Sequence, residues 1–298
     1  MRHAAAMSPG MSVSLGGQPL DIVFLQTADP YRYKRMLDAT ARTAIQYCER
    51  HGYAYESYVG IKRGYFPWHA TFNRMFQLRE LIDRGFRGWA VYLDADAYVN
   101  DLDFDLAAYL TARANRAGIM TTIPGEPHPW CINAGVLLLN LGHAVGREIA
   151  ELWLGRYLDI DDADLRTMAI WDDGNSDQSM LFEILHHNPH LRAAIEYDDG
   201  QFINAYQARF IRQLLRSLSP DLETRTRELE TVTGSLVAAQ PVASSVVSAL
   251  YRALLQREPD EMGLAAYVNH VAIHGVEEGT RFVADEIIHS EEYRRLKA

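Results

Sequence analysis

The sequence is poor in cysteine and in lysine. Its two cysteines, Cys48 and Cys131, stand far apart and form no Cys-x-x-Cys pair, so the spacing of a zinc knuckle or a disulfide framework is absent. A reducing compartment is therefore expected. Lysine occurs only at positions 34, 62 and 297, so nearly all of the positive charge is arginine, whose planar guanidinium suits bidentate contacts with phosphate and carboxylate groups.

Acidic residues outnumber basic ones over the whole chain. The chain has a formal net charge of -10 and an isoelectric point near 5.5, and no basic stripe runs along it, which argues against a nucleic-acid-binding protein. A phosphate-bearing ligand would therefore need a metal ion or a few well-placed arginines at its site.

Long apolar runs are missing as well. The first twenty residues contain only broken apolar runs among Ala, Ser and Gly, whereas a signal peptide needs a continuous apolar core. No run approaches the roughly 20 apolar residues of a membrane-spanning helix. We expect a cytoplasmic protein with no transmembrane segment, and association with a membrane surface is left open.

What the sequence does contain is an alternation of strand and helix patterns over its first two thirds. Apolar, β-branched runs predict strands, and apolar residues at helical spacing, ended by glycine or proline, predict helices. The predicted strands are 20–27, 53–59, 89–93, 118–122, 132–140 and 193–197, and the predicted helices are 33–50, 67–83, 143–158 and 178–187. This order is typical of an α/β fold with a mostly parallel sheet, which binds ligands at the carboxyl ends of its strands.

The chain of 298 residues is long enough for one large domain and a smaller unit. We predict a flexible N-terminus at 1–19 and an α/β domain at 20–217. Residues 218–243 are charged and rich in Thr and Glu, which indicates a linker or a surface helix. Residues 244–298 are predicted to form an all-α module of about four short helices.

The motif Asp94-Ala95-Asp96 is the strongest chemical signal. It directly follows the apolar strand 89–93, so its two carboxylates are expected at the ligand-binding edge of the sheet. Oxygen ligands suit a hard divalent cation, which stabilises the charge that develops on a departing diphosphate. The acidic residues Asp101, Asp103 and Asp105 repeat the spacing, but no apolar strand precedes them, and we interpret them as a solvated loop.

Three motifs together resemble glycosyltransferases of the GT-A type. Residues 89–99 (WAVYLDADAYV) look like the metal-site strand, residues 132–140 (INAGVLLLN) like the acceptor-side strand, and residues 177–181 (DQSML) like the Asp-Gln helix start. The likeness is greatest to the galactosyl and mannosyl transferases of glycosyltransferase family 34, with the glycogenin-like family more distant. It covers about residues 20–215.

This resemblance implies a role for each matching position. A UDP- or GDP-sugar donor, a glycan or other acceptor and transfer with retention at the anomeric carbon are implied. Asp94 and Asp96 would bind the metal and the diphosphate, and Ala95 between them would also contact the nucleotide-sugar. Mn²⁺ is the expected ion and Mg²⁺ the alternative. Catalytic contacts with the sugar would come from Asp177 and Gln178, acceptor contacts from Asn133 and Gly135, and nucleotide contacts from Gln26, Thr27, Tyr31, Arg63, Asn73 and Arg74.

The sequence departs from the family at one expected ligand. The family usually supplies a third metal ligand from a histidine near the end of the catalytic domain, whereas this chain has Asn204 at the corresponding point. An amide oxygen is an acceptable but weaker ligand for a hard cation. Asn204 is therefore the expected third ligand.

Other candidate groups have structural interpretations. His186 and His190 stand four residues apart, but Pro189 breaks the helix between them. Tryptophans at helical spacing usually pack a core. Trp130 and Trp171 lie in loops beside the matched motifs, so we expect them to contact the acceptor.

The C-terminal module resembles the domain-of-unknown-function 4214 family of bacterial helical modules over residues 244–298. Pro259 and Asp260 should begin one helix, and Ser290 should cap another by accepting a hydrogen bond from the backbone near Tyr293. We assign no catalytic residue to it. A protein partner bound through it is one expectation.

Other functions remain open beside sugar transfer. A phosphatase of the haloacid dehalogenase type also places Asp-x-Asp after a strand, but it requires a later lysine, and none lies between Lys62 and Lys297. A sugar nucleotidyltransferase would show a glycine-rich loop after its first strand, where this chain has Gln-Thr-Ala-Asp-Pro at 26–30. A non-catalytic glycan- or nucleotide-binding scaffold on a degenerate transferase fold is the main alternative.

Overall fold

The computed structural model describes residues 11–15, 21–171 and 175–297. Its strands are β1 (Met11–Leu15), β2 (Ile22–Ala28), β3 (Ala54–Val59), β4 (Trp89–Leu93), β5 (Ala97–Val99), β6 (Gly118–Thr122), β7 (Ile132–Asn140), β8 (Ile195–Asp198), β9 (Ile203–Ala205) and β10 (Ile211–Gln213). In this part of the chain the larger sheet has the order β1-β3-β2-β4-β7-β6-β8, and β5, β10 and β9 form a smaller one.

The larger sheet is mixed and mostly parallel. Strands β3, β2, β4, β6 and β8 point in one direction, whereas β1 and β7 run against their neighbours. Because β7 is antiparallel, it begins at the edge where β2 and β4 end. This reversal brings the start of β7 to the carboxyl ends of the central parallel strands.

Helices cover both faces of the larger sheet. They are α1 (Lys34–His51), α2 (Asn73–Asp83), α3 (Leu106–Thr111), α4 (Ala144–Leu158), α5 (Asp162–Leu165), α6 (Asp177–His187), α7 (Pro189–Ala193), α8 (Leu222–Leu255), α9 (Glu261–His274), α10 (Val276–His289) and α11 (Glu291–Lys297), and a 3₁₀ helix (Pro67–Phe72) precedes α2. One apolar core lies between the sheet and α2, α4 and α6, and a second lies between the sheet, α1, α3 and the smaller sheet. Strand β4 is buried on both faces, as expected for a central strand of such a sandwich.

Several elements differ from the sequence-based prediction. Residues 11–15, placed in a flexible N-terminus, form the edge strand β1, which pairs with β3. The remaining residues of 1–19 lie outside the described part of the chain. Asn188 and Pro189 do end α6 as expected, but Pro189 then begins the short helix α7, because proline fits the first turn of a helix.

Helix α8 runs through the segment predicted as a linker or surface helix and continues into the C-terminal module. Its first half packs on α1, where Leu229 and Leu236 are buried beside Met36 and Tyr98. Arg35 of α1 also makes ion pairs with Glu223 and Glu230 of α8. The helix thus belongs partly to the α/β core.

Among the described residues, α8 also has the length and composition of a membrane-crossing helix, which the sequence analysis did not anticipate. Length and composition alone are weak grounds for a span, and Ala243, Val247 and Tyr251 of this helix are buried against α9 and α10.

The C-terminal helices have their own small core, formed by buried residues of α8, α9 and α10. Asp260 caps α9 by accepting a hydrogen bond from Gly263 N at 2.8 Å. Ser290 accepts one from Tyr293 N at 3.1 Å, so the two predicted helix starts in this module are confirmed.

Candidate functional site

A cleft of about 370 Å³ opens at the carboxyl ends of β2 and β4 and the start of β7. Asp94 N donates to Gly135 O at 2.7 Å, which ties the turn after β4 to β7. The residues that line the cleft are Thr27, Ala28, Asp29, Tyr33, Pro67, Trp68, Ala70, Thr71, Arg74, Tyr92, Asp94, Ala95, Asp96, Asn133, Ala134, Gly135, Trp171, Asp177, Gln178, Gln213, Leu215 and Arg216.

Arg74 occupies the centre of the cleft floor and is only 2% exposed. Its Nη2 donates to Asp94 Oδ1 at 2.6 Å. Its Nε lies 3.1 Å from Asp177 Oδ2 and donates its hydrogen to Thr71 O at 3.0 Å. The guanidinium also contacts Ala134 O and lies over the ring of Tyr92, 4.2 Å from the centroid. One buried cation therefore joins two acidic residues that are far apart in sequence.

Acidic groups are concentrated on this floor. Asp94 and Asp177 share the positive charge of Arg74, and Asp96 is influenced by Arg225 and Arg216. The pKa of Asp94 is raised to about 7, mainly by burial; Arg74 lowers it, and the charges of Asp96 and Asp177 add to the rise. Burial also raises the pKa of Asp96. A divalent cation between Asp94 and Asp96 would favour ionisation of both carboxylates, because a nearby positive charge stabilises the charged form.

The second carboxylate of the motif is held by amides. Gln213 Nε2 donates to Asp96 Oδ1 at 2.8 Å, and Asn133 Nδ2 donates to Gln213 Oε1 at 3.0 Å. Tyr92 donates its hydroxyl hydrogen to Asp94 Oδ1 at 3.0 Å. Within the described chain, no side chain donates a hydrogen bond to Oδ2 of either aspartate.

The acid pair therefore fits a hard cation. In the described chain, Asp94 and Asp96 each have one oxygen to which no side chain donates a hydrogen bond, and carboxylate oxygens suit a hard divalent ion. In the described ranges, however, no group of three or more His, Cys, Asp and Glu side chains is arranged as a metal site. Water and ligand oxygens would have to complete the coordination.

Asp177 and Gln178 reach the cleft from the first turn of α6. Ser176 caps this helix by accepting a hydrogen bond from Ser179 N, so positive helix-dipole charge lies beside Asp177. Gln178 Oε1 accepts a hydrogen bond from Ala134 N at 3.0 Å. Helix α6 is thereby fixed to the start of β7, and an anionic substrate group at this end of the cleft would meet the N-terminus of a helix.

Two aromatic side chains and an arginine form the rim. Trp171 is 39% exposed, and the Arg216 guanidinium lies 5.6 Å from the centroid of its ring. Arg216 Nη2 donates to Tyr33 Oη at 3.0 Å. Because Arg74 is already held by carboxylates, Arg216 is the cleft-lining cation that remains near solvent, where it can meet an incoming phosphate.

Ten of the residues selected from sequence line this one cleft: Thr27, Arg74, Asp94, Ala95, Asp96, Asn133, Gly135, Trp171, Asp177 and Gln178. They come from β2, α2, the turn after β4, β7, the loop before α6 and α6 itself. Their convergence follows from the topology, because the ends of β2 and β4 meet the start of the reversed strand β7.

Three residues expected at the nucleotide serve the protein interior instead. Gln26 is fully buried, and its amide donates toward Thr40 Oγ1 and the carbonyl oxygens of Asp94 and Ala97. Asn73 Nδ2 donates to Thr27 Oγ1 and Gly60 O, both at 2.8 Å. Arg63 donates to the carbonyl oxygens of Tyr157 and Ile160. Their polar atoms are used to hold loops together, which sequence alone does not reveal.

The other three differ for separate reasons. Tyr31 is 82% exposed and lies outside the cleft lining. Trp130 also lies outside it, and its ring stacks on His128 and contacts the guanidinium of Arg192. Asn204, the expected third metal ligand, directs Nδ2 to the carbonyl oxygens of Asn133 and Val136. The residue beside Asp96 is Gln213 instead.

Gln213, Tyr92 and Arg216 are site residues that sequence reasoning missed. Tyr92 lies inside the predicted apolar strand 89–93, and the sequence analysis gave it no role of its own. Gln213 lies on β10, a strand of three residues, which is too short for an alternating pattern to identify. No sequence signal pointed to Arg216.

The acidic loop and the histidines have partners of their own. Asp103 pairs with Arg50, and Asp101 lies 3.7 Å from Arg209. Asp105 caps α3 by accepting a hydrogen bond from Ala108 N at 2.8 Å. His190 pairs with Glu148, and His186 accepts from Trp130. The prediction of a solvated acidic loop is therefore wrong for two of its residues, because Asp101 is 8% exposed and the Asp103 side chain is 6% exposed. The histidines lie at the surface with separate partners, which agrees with their structural interpretation.

Among the comparisons with known proteins, only the comparison with solved structures gives a match, and it concerns the fold. No protein-family model matches the chain, and no curated protein matches it. A solved structure, described as the crystal structure of a glycosyltransferase involved in the glycosylation of the major capsid of PBCV-1, is similar to it with a TM-score of 0.51 and 18% identity, over 70% of this chain and 99% of that one. The chain therefore shares with this glycosyltransferase a mixed α/β fold with a mostly parallel sheet flanked by helices, and a C-terminal helical region follows it.

Proposed function

We propose that this chain transfers a sugar from a nucleotide-diphosphate donor, UDP- or GDP-linked, to a glycan, lipid-linked saccharide or protein acceptor, with Mn²⁺ or Mg²⁺ held by Asp94 and Asp96. The observation that carries the proposal is the acid pair on the cleft floor. Each of its carboxylates keeps one oxygen without a side-chain partner in the described chain. The glycosyltransferase fold of the structural neighbour supports the same function.

Each wall of the cleft has a part in this proposal. The cation would neutralise charge on the departing diphosphate, and Arg216 at the rim would meet the phosphates from the solvent side. Asp177 and Gln178, fixed through Arg74 and Ala134, would orient the transferred sugar. Trp171 offers an exposed ring on which a sugar can stack. A hexosyl donor and retention at the anomeric carbon follow from the family resemblance and are part of the proposal.

The test is hydrolysis of a panel of UDP- and GDP-sugars with and without Mn²⁺. We expect the wild type to release nucleotide from at least one donor only when the cation is present, and Asp96→Asn to lose this release. Asp105→Asn is the matched control, because asparagine also caps helices well and Asp105 lies outside the cleft. Donor binding without any turnover would favour the non-catalytic scaffold, and cation-independent turnover would contradict the role of the acid pair.

A further inference from the structure

Three polar side chains form a hydrogen-bonded row across the cleft floor, from β7 through β10 to the turn after β4. Asn133 Oδ1 accepts a hydrogen bond from Gly135 N at 2.9 Å, so its Nδ2 must face the other way. That nitrogen donates to Gln213 Oε1 at 3.0 Å, and Gln213 Nε2 then donates to Asp96 Oδ1 at 2.8 Å. The direction of every bond in the row is set by the backbone of Gly135.

The position of Gln213 is enforced by its surroundings. Its side chain is 4% exposed, and β10 pairs Gln213 with Ala97 next to the acidic motif. Gly135 leaves room for it, because a Cβ at that position would lie 2.3 Å from Gln213 Nε2. The amide therefore has one place to lie, with a donor directed at Asp96.

We infer that Gln213 is the positioning residue of the proposed cation site: it holds Asp96 by Oδ1 and leaves Oδ2 directed to the ion, without itself being a ligand. This role rests on the proposed function. The Gln213 amide directs its Nε2 at Asp96 and its Oε1 at Asn133. Its oxygen is therefore not available to a cation at Asp96. The chain thus has a hydrogen-bond donor beside the acid pair, where a third ligand was expected from Asn204.

The experiment measures Mn²⁺ alone, without nucleotide. The dissociation constant comes from the electron paramagnetic resonance signal of free Mn²⁺, and the number of water molecules on the bound ion comes from water-proton relaxation. Loss of an outer partner of a metal ligand typically weakens binding about 10–100-fold. We expect this loss in Gln213→Leu, with the hydration number of bound Mn²⁺ unchanged.

Two further variants keep the test sharp. Gly135→Ala should weaken Mn²⁺ binding through displacement of the Gln213 amide, and the double variant should be no weaker than Gln213→Leu, because both changes remove the same bond. Gln201→Leu is the matched control, since Gln201 also donates to an aspartate, Asp199, at 2.9 Å but lies on the surface. It should bind Mn²⁺ like the wild type.

The outcomes separate the two levels of inference. Unchanged Mn²⁺ affinity in both Gln213→Leu and Gly135→Ala would overturn the positioning role while the acid pair stands. Weaker binding with one additional water on the ion would also overturn it, because Gln213 would then have been a direct ligand. A wild type that binds no Mn²⁺ would overturn the proposed cation site and this role together.

Discussion

Arg74 joins Asp94, Asp177 and the start of β7 in the protein interior. It is buried together with Asp177, and Asp94 is about one-third exposed to the cleft. Removal of this arginine would leave the carboxylates of Asp94 and Asp177 without their positive partner. A buried charge without a partner strongly destabilises the folded state. From its place on α2, Arg74 thus forms ion pairs with Asp94 after β4 and with Asp177 at the start of α6.

Replacement of Arg74 should therefore destabilise the fold. We expect Arg74→Met to lower the free energy of unfolding by about 3–5 kcal/mol, the usual effect of removing one partner of a buried ion pair. Arg79→Met on the same helix removes an exposed pair with Asp83 and should cost about 0.3–0.5 kcal/mol. Urea unfolding of both variants measures the difference, and equal losses would contradict the role of burial.

The raised pKa of Asp94 gives the cation-free protein a specific pH dependence. An aspartate has a pKa of ~4 in the unfolded chain, and burial raises the pKa of Asp94 to about 7 in the folded protein. The folded state therefore binds this proton more tightly, so its contribution to stability is complete below pH ~4 and is lost as the pH rises toward 7. The burial of Asp96 acts in the same direction.

Asp94→Asn should remove this part of the pH profile. In EDTA, we expect the unfolding free energy of the wild type to fall relative to that of Asp94→Asn between pH ~4 and ~7, because asparagine has no proton to lose. Mn²⁺ should tighten its binding to the wild type over the same range as the proton leaves. Parallel stability profiles of the two proteins would show that burial does not raise this pKa.

At the scale of elements, helix α8 connects two cores. Leu229 and Leu236 pack with Met36 and Tyr98 of the α/β unit, whereas Val247 and Tyr251 pack with α9 and α10. Pro241 lies inside the helix between the two sets. A single continuous element thereby joins the helical module to the α/β core.

The packing of α8 on α1 can be tested with leucines of different burial. Leu229 is fully buried, and Leu218, just before α8, is largely exposed. We expect Leu229→Ala to cost about 2–5 kcal/mol, the usual effect of truncating a buried leucine. Leu218→Ala should change stability by no more than about 0.5 kcal/mol. Thermal or urea unfolding measures both, and a small effect of Leu229→Ala would mean that the first half of α8 is only loosely attached.

Elements with continuous apolar patterns could be predicted from the sequence. Strands β4, β6 and β7 have the predicted bounds, because each is a run of buried residues long enough to be recognised. The first half of α8 was interpreted as a linker or surface helix because Thr, Arg and Glu dominate it. Two polar residues in this half, Arg225 and Thr233, are nevertheless buried. The Thr233 hydroxyl donates a hydrogen bond to Leu229 O at 2.6 Å. Composition cannot distinguish such a helix from an exposed one.

At the scale of the whole molecule, the cleft combines seven separate segments of the chain. Sequence reasoning could place the acid pair and the starts of β7 and α6 at one edge, because strand order and direction determine where their ends lie. It could not place Gln213, whose position depends on the pairing of three-residue strands. It also could not foresee that Gln26, Asn73 and Arg63 use their polar atoms inside the protein.

The most direct test of the central claim is the position of Mn²⁺ in crystals soaked with the ion and uridine or guanosine diphosphate. The anomalous signal of manganese locates the ion independently of any assumed ligand. We expect one peak within coordination distance of Asp94 and Asp96, with the diphosphate bound to the same ion and no such peak in Asp96→Asn. A manganese peak elsewhere, or a diphosphate bound in the cleft with no ion at the acid pair, would contradict the proposed cation site.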